Sequence, residues 1–106
     1  MPNIHEGNLL IARFITDEPE VLEHDLKKAG TLESMAYHND WNWIMPVVEK
    51  IENCFDGCVN VEINGENCLI HNIEPQFKRF VAGKTKIQAI WLAVVEFITW
   101  YNKQNA

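Results

Sequence analysis

A chain of 106 residues with 47% hydrophobic and 23% charged content is long enough to bury one core without staples and too apolar for a disordered tail. Fifteen acidic against nine basic side chains give a net charge of −6, so the average field repels phosphate backbones and direct nucleic-acid binding is disfavoured. Met1 is followed by no basic segment, and the longest early apolar run, Leu9 to Ile15, is broken by Arg13; this argues against a signal or membrane span, and a cytoplasmic protein with reduced cysteines is expected.

Asn8 is placed to cap a short helix over residues 8–15. Asp17, Glu18, Pro19 and Glu20 have the chemistry of a helix start, and Lys27, Lys28 and Gly30 that of a stop. They predict a helix over 18–29 with a thin apolar stripe. Residues 31–39 lack periodicity and read as a connection that tucks Met35 and Tyr37 inward. Asp40 caps a helix over 40–54, in which Trp41, Ile44, Val48, Ile51 and Phe55 recur at helical spacing and Pro46 marks a bend or an irregular first turn. Cys58 to Ile63 alternates with period two, Asn64-Gly65 is a turn signal, and Cys68 to Ile73 returns, so a hairpin spans 58–73. Phe77 to Val81 is a candidate third strand. Thr85 and Gln88 form a capping-box pattern that opens a last helix over 86–103. The sum is a single α+β domain over residues 1–106, helices packed on a small antiparallel sheet.

The last helix carries the strongest functional signal. Ile87, Ile90, Trp91, Val94, Phe97 and Ile98 fill one side, yet the opposite side also carries Ala89, Leu92, Ala93 and Trp100 among few polar residues. Either loops or the N-terminal helix cover that side, as small domains do around a long central helix, or the uncovered part is a surface for self-association or for another protein. Trp41 and Trp43 point about 160° apart on their helix, so both cannot enter one core face. Trp43 therefore joins Leu92 and Trp100 as a candidate interface residue.

Sites for chemistry are weaker. Cys54, Cys58, Cys68 and His71 have a spacing that invites a zinc reading. An even-numbered turn at Asn64-Gly65, however, puts Cys68 on the face of Val59, Val61 and Ile63, with Cys58 and His71 on the other, so no metal or other cofactor is expected. Tyr37, His38 and Asp40 are explained by a cap aspartate among polar neighbours. Ser34, the one serine, has no elbow motif, and Glu49, Glu52 and Glu62 form a carboxylate group only if helix and hairpin align them. No catalytic residue is assigned.

Two segments, Tyr37 to Glu52 (YHNDWNWIMPVVEKIE) and Lys86 to Asn102 (KIQAIWLAVVEFITWYN), resemble a group of small uncharacterised proteins of bacteriophages, prophages and other mobile elements. The order of elements is similar to the phage α/β-sandwich ("ABA sandwich") domains. Asn8 to Phe14 resembles the opening helix of that group, which more often carries an acid where Arg13 stands. Residues 16–36 match nothing in it. The resemblance implies a mobile-element origin and an α/β sandwich, and brings no activity or catalytic residues with it.

Two functions remain in view. The first is a non-enzymatic accessory domain that binds protein, either another chain or a second copy as a homo-oligomer such as a dimer. The second is an acidic nucleic-acid mimic that inhibits a host nucleic-acid-binding protein through Asp17, Glu18, Glu20, Glu23 and Asp25. The simpler reading of those acids is a solvated helix face balanced by Lys27 and Lys28.

Overall fold

A computed structural model describes residues 3–16 and 35–104. The expected helix over 18–29 and the acidic segment lie outside the described residues. Helix α1 spans Ile4–Ile15, earlier than expected, because the cap is Asn3: its side chain accepts from the backbone N–H of Glu6 at 2.8 Å. Asn8 sits inside the helix and is buried, along with Gly7, Ile11 and Ala12 on the same stripe. Helix α2 spans Trp41–Glu52 and is capped by Asp40, which accepts from Asn42 N–H at 2.8 Å. Ile44, Val47, Val48 and Ile51 form its buried stripe. Pro46 is exposed, so the backbone hydrogen bond it removes is lost on the solvent side, where water can replace it. The helix ends two residues before the expected 54. The chain then makes a 3-10 turn, Cys54–Gly57, in which Phe55, Asp56 and Gly57 are all left-handed (φ 51°, 61° and 81°).

Strands β1 (Asn60–Asn64), β2 (Asn67–Asn72) and β3 (Phe77–Ala82) form one antiparallel sheet in the order β1-β2-β3. The first turn closes Asn64 against Asn67, leaving Gly65 (φ 60°) and Glu66 as its two central residues. That is one position beyond the Asn64-Gly65 signal, and the pairing moves by two, so the facing is unchanged: Ile63 pairs with Cys68 and Val61 with Ile70. Cys68 and Ile70 point inward and are fully buried.

Helix α3 (Lys86–Gln104) crosses the inner face of β2 and β3, while α1 and α2 pack against its other side. It begins at Thr85, whose hydroxyl accepts from Gln88 N–H at 3.2 Å; the Gln88 side chain reaches back to Lys84 N–H at 2.5 Å. Of the two expectations for the apolar outer side of α3, cover by its own domain holds for most of it. Ala89 and Ala93 are fully buried, because α1 and α2 close over the side opposite the sheet. What stays open is a narrow stripe through Leu92, Glu96, Thr99 and Lys103, spaced by three or four residues, with Trp100 beside it.

Candidate functional site

The open stripe of α3 faces β3, and the two enclose a groove of about 680 Å³. Strand alternation turns Arg79 and Val81 of β3 toward it, since Arg79 pairs with the inward Ile70 and Val81 with the inward Cys68. From α3 the floor is Leu92, Val95 and Trp100, with Thr99 and Lys103 at the rim. The Arg79 guanidinium and the Glu96 carboxylate meet at 3.2 Å within the groove lining, both about half exposed, a pair that contributes little to stability. Trp100 is held from behind by aromatic rings, with Phe77 at 4.7 Å, Phe97 at 5.6 Å and Phe55 at 5.9 Å between centroids. The left-handed turn after α2 is what brings the Phe55 ring into that cluster. Trp100 is thus a rigid aromatic wall, and its indole N–H has no partner among the described residues.

A second cleft, of about 780 Å³, opens between the start of α1, residues 38–39 and the start of α3, and His38, Ile87 and Trp91 line it. Asn8 organises its floor. The amide orientation is fixed by its partners, because Oδ1 must accept from Trp91 Nε1–H (2.8 Å) and Nδ2 must donate to the Met35 carbonyl (3.4 Å). The second Nδ2 hydrogen then goes to His38 Nδ1 at 3.0 Å, so a neutral His38 carries its proton on Nε2.

Of the three candidate interface residues, Leu92 and Trp100 lie together in the groove. Trp43 does not join them. It is half-buried against Tyr37, with perpendicular rings 5.0 Å apart, and Trp41 is the exposed tryptophan of α2 at 43%. The helix starts at residue 41, so Trp41 lies in the first turn, ahead of the buried stripe, and the inward placement expected for it is corrected.

The cysteines and His71 are spread out. Cys54 Sγ bonds the Lys50 carbonyl at 3.5 Å, Cys58 is exposed, and Cys68 is in the core. His71 is on the outer sheet face, 2.8 Å from Glu62. Among the described residues no group of three or more His, Cys, Asp or Glu side chains is placed to hold a metal ion. Tyr37, His38 and Asp40 have three separate jobs: a core ring, a partner of Asn8, and a helix cap. Burial raises the Tyr37 phenol above its ordinary value and pushes the Cys68 thiol up to about 11, in both cases because the charged form would lose its water.

Comparison with known proteins finds no matching family model, curated relative or solved structure. Sequence reasoning did not single out Arg79, Val81 and Glu96. The available signal was the basic character of 77–81 together with its position as the last strand of a meander, which makes it a sheet edge.

Proposed function

We propose that this chain is a non-enzymatic protein-binding domain, an accessory protein of the kind phages and mobile elements carry, acting in the cytoplasm through the groove between β3 and α3. The observation that carries this reading is the groove itself: Leu92 and Trp100 left half-exposed over the buried Val95, beside the charged pair Arg79 and Glu96. A rigid, half-buried tryptophan framed by charged rim residues is the usual make-up of an interface anchor. No helix among the described residues is long and apolar enough to cross a membrane.

The reading is tested by photo-crosslinking. A benzophenone amino acid at Lys103, exposed at the rim of the groove, should give discrete adducts with a second copy or with another protein, and a companion Leu92→Asp change should remove them. The same group at Glu52, exposed on α2, should give none. Equal labelling from both positions, or none from Lys103, rejects the groove as a docking surface.

A further inference from the structure

We infer that the groove receives an extended, acidic segment of another protein, which pairs with the free edge of β3 as a fourth strand; this rests on the groove being the docking surface. Among the described residues β3 has a strand partner on one side only, β2, so backbone N–H and C=O groups along its other edge are open to an added strand. Side chains of such a strand alternate, so every second residue would enter the groove beside Arg79 and Val81 and meet Leu92, Val95 and Trp100. The intervening residues would face outward beside Lys78 and Phe80, the latter 64% exposed.

Charge selects the segment. Along β3, the turn after it and the groove stand Lys78, Arg79, Lys84 and Lys103 against Glu96 and, across the end of the strand, Glu66, within a protein whose net charge is −6. Screening over roughly 8 Å at physiological salt lets these nearby bases, and not the overall charge, set the field along β3. A second copy is the poorer occupant, because antiparallel pairing of β3 with itself brings two Lys78-Arg79 pairs into one short ribbon of like charge. The favoured segment alternates inward apolar residues with outward Asp or Glu.

Fluorescence anisotropy of a labelled octapeptide of alternating glutamate and valine, titrated with the full chain, tests this. Binding should saturate, weaken as salt rises, fall about tenfold or more with Lys78→Glu, and be blocked by Thr99→Trp, which fills the groove from an exposed position. N-methylation of the peptide amides on one alternate set should abolish it, and on the other set should not. Equal binding of a lysine–valine octapeptide overturns the acidic preference; if Thr99→Trp still blocks that binding, the groove reading survives. A chain that binds neither peptide but forms a dimer, lost in Thr99→Trp, gives the groove to a second copy and overturns this inference alone. A chain that binds neither peptide and forms no dimer overturns this inference, and the crosslinking from the groove rim then decides the docking reading.

Discussion

The indole N–H of Trp91 donates to the Asn8 side-chain oxygen at 2.8 Å, joining α1 to α3 across 83 residues of sequence. Asn8 is buried, and its amide spends its other two hydrogens on the Met35 carbonyl and His38. Three separate pieces of chain are thereby fixed by one side chain. Asn8→Leu strands the Trp91 N–H in the core, and a buried unsatisfied donor costs about 1–3 kcal/mol. Urea unfolding followed by tryptophan fluorescence should show that loss. In a Trp91→Phe background, where no donor remains, the same substitution should cost clearly less.

Gly7 lies one residue before Asn8, against the same indole. A Cβ built there would sit 2.2 Å from Trp91 Cζ2 and 2.6 Å from Cη2, too close for any rotamer adjustment of its own. Gly to Ala inside a helix normally gains about 1 kcal/mol from propensity. Here the ring must move, at a cost of about 1–3 kcal/mol for overpacking and with the Asn8 bond lost as well. Gly7→Ala should therefore destabilise, and its effect should not add to that of Asn8→Leu, because both act through Trp91.

The elements that were legible in the sequence are those whose signals are local. Asp40, Thr85, the alternation of residues 58–63 and the apolar density of α3 each depend on neighbours within a turn, and each element formed close to its expected span. Asn8 misled because Asn is chemically suited both to capping and to a buried polar junction, and only the distant Trp91 and Met35 decide between them. How much of α3 stays open is undecided in the sequence for the same reason. Whether Ala89 and Ala93 are covered depends on how α1 and α2 dock, which periodicity in α3 does not encode. The groove itself is a property of a sheet edge and a helix together, so its two walls carry no common motif.

Leu92 and Trp100 share the groove but differ in what lies behind them. Trp100 is wedged against Phe77, Phe97 and Phe55, so Trp100→Ala removes part of the core and should cost roughly 2–4 kcal/mol, somewhat below a fully buried aromatic truncation. Leu92 is half-buried and lines both clefts, and Leu92→Ala should cost about 1 kcal/mol or less. Thermal unfolding separates the two. Leu92 substitutions are consequently the cleaner probe of binding, because a loss there cannot be blamed on unfolding.

Cys68 makes the fold sensitive to high pH. Its side chain is fully buried on the inner face of β2, and burial pushes the thiol from an ordinary 9.0 up to about 11. Below pH 9 the thiol is protonated in both folded and unfolded chains and does not bias folding. Between 9 and about 11 the unfolded chain gives up the proton while the folded one keeps it, so folding must take a proton up and stability falls with rising pH. The slope approaches about 1.4 kcal/mol per pH unit, and the whole loss over about two units is about 3 kcal/mol. Tyr37, raised by burial from 10.0, pulls in the same direction at higher pH, so the comparison must be with Cys68→Ala and not with a flat line. Urea midpoints measured from pH 8 to 11 should converge, the wild type losing its advantage over Cys68→Ala as the unfolded thiol ionises. Curves that stay parallel across that range would mean the thiol ionises as readily in the folded protein as in the unfolded one, which is incompatible with its place under α3.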